Sequence, residues 1–297
     1  MIIEHPGKVT ERIVLLGQKE SCVYLLDGKE EYAIVGGGMV HIVPDVIKQL
    51  GASGIDEEKI KRIIILHSHF DHCGIVSFFK KRWPWAKVTA SLRARELLST
   101  SKVVETIEFL NQALLAEYGL EEKIKDLGVE SYNIDVEEVV AEGDALFCGD
   151  LLLEVIDVPG HSSCSMAVYV PLEKAMFASD AGGIPIGAKI ITAANSNFDK
   201  YQKSLKKIAG YEIDVYLAEH FGARTGDDAR DYLHRSIDSA KDTRKILEES
   251  YSKTGNAEKS TKEIIVRFMK DVPDGFMSKD VFALVIGQMM NYIAKQM

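Results

Sequence analysis

A chain of 297 residues, 46% hydrophobic and with a formal charge of −9, has enough apolar material for one large core or one core with an added lobe. The acidic balance and the lack of a dense Lys/Arg block exclude nonspecific nucleic-acid binding as a main role, because such binding depends on attraction to phosphate. No apolar run reaches bilayer length, and Met1-Ile2-Ile3-Glu4-His5-Pro6 lacks the basic-then-apolar layout of a signal peptide, so the expectation is a cytoplasmic protein with no membrane partner. Cys22, Cys73, Cys148 and Cys164 are widely spaced without a C-x-x-C, which indicates neither a disulfide framework nor a thiolate zinc site.

Three β-branched and aromatic segments, Lys8 to Leu16, Ser21 to Asp27 and Glu31 to Val35, are broken by Gly17, Asp27-Gly28 and Gly36-Gly37-Gly38 and predict a meander that opens a sheet. The triple glycine lacks G-x-G-x-x-G spacing and reads as a tight strand-to-helix turn. Val43 to Leu50 predicts a helix with Pro44 in its first turn, and Ile63 to Leu66 a buried strand.

That strand runs directly into His67-Ser68-His69-Phe70-Asp71-His72. The period-2 alternation of an extended chain sends His67 and His69 to one side, where two imidazoles can meet one ion. Asp71 and His72 follow where the chain turns toward a helix over roughly Cys73 to Lys80, displaced enough to hold a second ion. Cys73 reads as a small buried residue at that helix start.

Beyond a strand at Val88 to Ala90, the stretch from Leu92 through Leu127 is helical in propensity, with Val103, Ile107, Leu110, Leu114 and Leu115 at helical spacing. Lying between two candidate ligand loops, this insertion can pack on a sheet face or roof a site. Strands resume at Ala145 to Cys148, Leu151 to Ile156, Met166 to Val170, Ala175 to Ala178 and Val215 to Ala218, with a helix at Asp199 to Ala209. This strand-rich pattern with interspersed helices predicts an α/β sandwich rather than a doubly wound sheet. From Asp227 onward the pattern is helical, over Asp228 to Lys253, Thr261 to Met269 and Ser278 to Lys295, with Gly255 and Pro273-Asp274-Gly275 as breaks. The organisation expected is a catalytic domain over 1–225, with its helical insertion at about 91–127, and a C-terminal helical cap over 226–297.

Further His and Asp residues sit where apolar strands meet loops: His161 after Leu151 to Ile156, Asp180 after Ala175 to Ala178, and His220 after Val215 to Ala218. Strand ends are where a rigid sheet can aim side chains at a common point.

With His67-x-His69-x-Asp71-His72, then His161, Asp180 and His220, the chain resembles the metallo-β-lactamase-fold hydrolases. The resemblance implies an αββα sandwich with a helical insertion and a C-terminal helical lid, and two metal ions at one edge of the sheets. By it, His67, His69 and His161 would hold the first ion, Asp71, His72 and His220 the second, and Asp180 would bridge them. Two divalent ions sharing a water lower its pKa toward neutrality, and Asp71 would orient the resulting hydroxide. Fe or Zn is the expected metal, with Mn also compatible. Many members carry an acidic residue near Gly36, where this chain reads Val35-Gly36-Gly37, so one ligand's usual support is missing at that place.

Asp180 stands where the best-known zinc β-lactamases place a cysteine, and His72 is present where they lack it, which disfavours penicillin-type hydrolysis. The insertion between His72 and His161 and the helical tail are closest in layout to the PqsE-like, 2-aminobenzoylacetyl-CoA thioesterase branch. That resemblance implies hydrolysis of a small acyl- or aroyl-thioester of CoA type, with Phe70 and Ser162 lining the acyl pocket. A lactonase, a phosphodiesterase and an interaction protein with incidental turnover are the alternatives. The C-terminal helices could also form a homodimer seam, and Phe276, Phe282, Ile286 and Met289 are open to the roles of pocket wall, core or seam.

Overall fold

A computed structural model of the chain describes residues 1–129, 131–273, 276 and 278–297. The first half alternates strands β1 (Ile2–Ile3), β2 (Gly7–Lys8), β3 (Ile13–Gln18), β4 (Ser21–Asp27) and β5 (Tyr32–Val35) with helix α1 (Val43–Ala52), then β6 (Ile60–Ile64), α2 (Val76–Arg82) and β7 (Lys87–Ser91). Helices α3 (Leu92–Leu98), α4 (Ser101–Tyr118) and α5 (Glu121–Asp126) form the insertion. Strands β8 (Glu138–Val140), β9 (Ala145–Cys148), β10 (Leu151–Asp157), β11 (Met166–Val170) and β12 (Ala175–Phe177) lead to the hairpin of β13 (Ile184–Ile186) and β14 (Lys189–Ile191). The chain ends with α6 (Phe198–Ile208), β15 (Val215–Leu217), β16 (Ala223–Thr225), α7 (Asp227–Arg230), α8 (Tyr232–Thr254), α9 (Ala257–Phe268) and α10 (Lys279–Ala294).

Two seven-stranded sheets result, in the orders β2-β3-β4-β5-β6-β7-β8 and β1-β16-β15-β12-β11-β10-β9. Strands such as Ser21–Asp27 and Met166–Val170 are apolar on both faces because both faces are covered. Between the sheets pack Leu15, Tyr24 and Ile64 from one and Val168, Phe177 and Leu217 from the other. On the outer face of the first sheet, α1, α2 and α4 contribute Val46, Phe79 and Ile107. On the outer face of the second, α6, α8 and α10 contribute Tyr201, Leu247 and Met290. The layers therefore run helix, sheet, sheet, helix, the αββα sandwich.

The sheets are stitched along one edge by backbone hydrogen bonds: Met166 N donates to Leu66 O at 2.9 Å, and Cys22 N to Glu219 O at 2.7 Å. Both bonds lie beside candidate ligands, so that edge is held from both layers.

Several elements differ from the sequence reading. The segment Lys8 to Leu16 is two strands, since Val9 N and Thr10 N turn back onto Ile13 O at 2.8 and 3.2 Å. The helix expected from Cys73 starts later, at Val76, because Gly74 N and Ile75 N bond to Gly38 O and Gly37 O at 2.8 and 3.0 Å. This is why glycine stands at 37: a Cβ there would lie 2.5 Å from His72 O. The helical stretch Leu92 to Leu127 breaks at Ser99-Thr100 and again at Gly119, which closes α4 in the left-handed region at φ 62°. Thr261 to Met269 is a longer helix that begins at Ala257, with Asn256 Oδ1 capping Lys259 N at 2.9 Å. The strands β1, β8, β13, β14 and β16, of two or three residues each, are not predicted from the sequence. Of the break predicted at Pro273-Asp274-Gly275, Asp274 and Gly275 lie outside the described residues. Among the described residues no helix is long and apolar enough to cross a membrane.

The C-terminal helices share a core with the second sheet: Phe282, Ile286 and Met289 are buried with Met176 and Tyr216. Ile293 at the end of α10 is fully buried in the same cluster. Ile293→Ala should therefore cost about 2–5 kcal/mol. The check is a lower urea midpoint with an unchanged m-value.

Candidate metal centre

The extended chain leaving β6 delivers His67 and His69, and a single 3-10 turn over Phe70–His72 swings Asp71 and His72 to the side. His161 follows β10 after Gly160, Asp180 follows β12, and His220 follows β15. His67, His72, His161, Asp180 and His220 are all at most 5% exposed.

The side chains converge as two clusters. In the first, His161 Nε2 lies 3.2 Å from His67 Nε2 and 2.9 Å from His69 Nδ1. In the second, His220 Nε2 lies 3.1 Å from His72 Nε2, and Asp71 Oδ2 lies 3.5 Å from each of those nitrogens. Asp180 sits between them, with Oδ2 3.3 Å from His72 Nε2 and 3.6 Å from His161 Nε2, and Oδ1 3.8 Å from His220 Nε2. Donor atoms about 2.0–2.1 Å from one tetrahedral ion stand roughly 3.3 Å apart, so the spacings fit a divalent cation in each cluster.

The rings are oriented for this. His161 Nδ1 donates to Ala193 O at 2.8 Å and His220 Nδ1 to Glu20 O at 2.6 Å, which leaves each Nε2 lone pair facing the cluster. Burial, reinforced by the neighbouring imidazoles, holds His67 well below the ordinary histidine pKa and brings His69 down to about 3. Burial also lowers His161, although Asp180 opposes it. In the second cluster burial works in the same direction but loses to charge: Asp71, Asp180 and Glu219 raise His72, and Asp180 and Asp71 raise His220. The two carboxyls, despite burial, are lowered by His72 and His220.

Backbone strain is stored beside two of these residues. Ser179, before Asp180, has φ 48°, and Phe221, after His220, has φ 56°, both in the left-handed region that costs a non-glycine residue on the order of 1–3 kcal/mol. Neither is legible in the sequence, since strain has no residue signature here. Glu219 also escaped assignment: it is 2% exposed with Oε2 3.1 Å from His72 Nδ1, and the signal was an acidic residue adjacent to a strand-end histidine.

Above the clusters is a cavity of about 590 Å³ whose lining includes His69, Asp71, His161 and Asp180. Its apolar walls come from Phe70, Ile107 and Leu110 on one side and Phe276, Phe282 and Val285 on the other. Phe70 and Ser162 both line it, although the Ser162 hydroxyl is engaged with Ser165 Oγ at 2.7 Å. Of the tail residues open to three roles, Phe276 is wall, Phe282 is buried in the core and also lines the cavity, and Ile286 and Met289 are core. Cys73 is a buried thiol bonded to His69 O at 3.0 Å, its pKa raised by burial, and not a nucleophile.

The sequence profile of the metallo-beta-lactamase superfamily matches residues 17–220. The chain belongs to that superfamily, and its two donor clusters place it among the metal-dependent hydrolases of this fold. Solved structures similar to it include a metallo-beta-lactamase family protein from Thermus thermophilus, at 19% identity and TM-score 0.62 over 96% of this chain and 90% of that one. A B3 metallo-beta-lactamase described as having an active-site glutamic acid gives 19% and 0.58 over 80% and 89%. An archaeal superfamily protein from Sulfolobus tokodaii gives 19% and 0.57 over 80% and 84%. These likenesses bear on the fold.

The opposed pKa shifts carry a pH prediction. His72 and His220 are raised by the carboxylates beside them, which favours the proton an incoming cation must displace; His67 and His69 are lowered by burial, which favours the neutral ring that ligates. As the pH falls from about 8 to about 6, zinc affinity at the second cluster should fall more steeply than at the first, because the raised histidines compete for protons there. Competition against a chromophoric chelator across that range measures both.

Proposed function

We propose that the protein hydrolyses the thioester of a small acyl or aroyl group carried on a CoA-type thiol. The observation that supports this reading is an apolar cavity, walled in part by α4 and α10, that reaches His69 and His161 of one cluster, Asp71 of the other and Asp180 between them. In this reading His67, His69 and His161 would hold one ion and Asp71, His72 and His220 the other, with Asp180 placed between the two sets. Fe and Zn suit this nitrogen-rich set with carboxylates, and Mn is compatible. When bound, such a pair activates a water near neutral pH and polarises a carbonyl.

The chain supplies the rest. Asp71, whose carboxyl lines the cavity, would accept a hydrogen bond from the attacking water and orient it. Phe70, Ile107, Leu110 and Phe282 hold the acyl group and exclude bulk water, which strengthens every charge interaction at the floor. Exposed Lys102 lines the same cavity and offers a positive charge to the phosphates of the leaving group. A thiolate needs no strong acid to depart, since a free thiol has a pKa of about 8.5.

The protein, stripped by chelation and reloaded with Fe, Mn or Zn, should be assayed side by side on acyl- and aroyl-CoA, a lactone and bis(p-nitrophenyl) phosphate. The expected result is the highest kcat/KM on a CoA thioester, abolished by chelation and by His69→Ala with Asp180→Ala. A preference for the phosphodiester or the lactone would overturn the thioesterase reading. Leu110→Trp, which fills the cavity, should lower kcat/KM on the thioester while metal content stays at the wild-type level.

A further inference from the structure

A polar group buried without a hydrogen-bond partner is costly, and the carboxyl of Glu219 is buried that deeply. Among the described residues no aligned donor serves either of its oxygens. Its close polar neighbour is the ring of His72, whose Nδ1 lies 3.1 Å from Oε2, within reach of a charge-assisted hydrogen bond although the N–H is not aligned on the oxygen. Arg224, a buried cation nearby in sequence, instead directs Nη1 to Phe221 O and Ala223 O at 2.7 and 3.2 Å.

The ligand atoms of His67, His72 and Glu219 lie within 4.8 Å of one another, which by distance alone could be a third cation site. Ring chemistry decides against it. His67 and His72 both turn Nε2 into the main clusters, so each must carry its proton on Nδ1. Those Nδ1 atoms stand 3.3 and 3.4 Å from Ser179 Oγ, and a protonated nitrogen cannot ligate. The space behind the two rings is therefore a place for hydrogen-bond acceptors.

Gly36 makes room for the acceptor. A Cβ at 36 would lie 2.5 Å from Glu219 Oε1, and the residue has φ 93°, where a side chain is strained in any case. The carboxylate reaches this space from the strand end that also delivers His220.

We infer that Glu219 is a positioning residue of the metal centre: its carboxylate takes the Nδ1 proton of His72 in a hydrogen bond, fixes the tautomer with Nε2 free, and so sets the affinity of the second cluster for its ion. This rests on the two-ion reading of the site and is independent of the substrate.

The test uses zinc itself as the probe, with chelator competition and elemental analysis on the wild type, Glu219→Gln and Glu219→Ala. Glu219→Ala should weaken the second ion by about 10–100-fold with the first ion unaffected. Glu219→Gln, which retains an acceptor oxygen without the charge, should lose less. Wild-type affinity for both ions in both variants overturns the inference, and so does a lower melting temperature of the metal-free protein with second-ion affinity unchanged. If Glu219→Ala does not fold, Glu219→Gln decides by the same criterion. A wild-type protein that takes up no zinc overturns the two-ion reading and this inference with it.

Discussion

Five imidazoles and three carboxylates crowded into a buried edge form an arrangement that water cannot stabilise and that a folded chain must compensate internally. Charge on one group is tolerated only because another offsets it. His72 and His220 are held up by Asp71 and Asp180, which they in turn hold down, while His67 and His69, with less acid beside them, are driven neutral. The asymmetry favours neutral rings with free lone pairs in one cluster and favours the proton on the rings of the other. Much of the rest of the molecule supports this edge: the interlocking of the sheets at Leu66 and Met166 and at Cys22 and Glu219, and the left-handed backbone at Ser179 and Phe221.

Positioning relies on backbone as much as on side chains. Carbonyls of Ala193 and Glu20 set the tautomers of His161 and His220, and both belong to segments remote from those residues in the chain. Gly37 and Gly38 accept the loop that follows His72, so that the run of ligands and the turn after β5 are locked together. A ligand set mounted this way is aimed by the strand ends and held by the turns bonded to them. The helical insertion and the tail add a second property, a mostly apolar space directly over the charges. Restricting water there strengthens electrostatic interaction with whatever carbonyl is placed at the floor.

The sequence and the structure divide this protein along a physical line. Local pattern was enough for the helix-rich insertion and tail, the long buried strands and the sandwich class, because burial on one or both faces leaves a periodic imprint in the residues themselves. The density of His67, His69, Asp71 and His72 within six positions, with His161, Asp180 and His220 at strand ends, likewise marks the candidate site in the sequence itself. Short strands such as Glu138–Val140 and Ala223–Thr225, and the late start of α2, were not legible, since pairing with distant partners defines them. The acid near Gly36 is the clearest case: its place in the sequence is empty, and a carboxylate from position 219, remote in sequence, stands beside it in space. What the chain determined by itself was the kind of donors and the faces they ride on. Which ring nitrogen faces the cluster, which carboxylate lies behind it and how much apolar space stands above were decided only by tertiary packing, because they depend on distances between segments that no local spacing encodes.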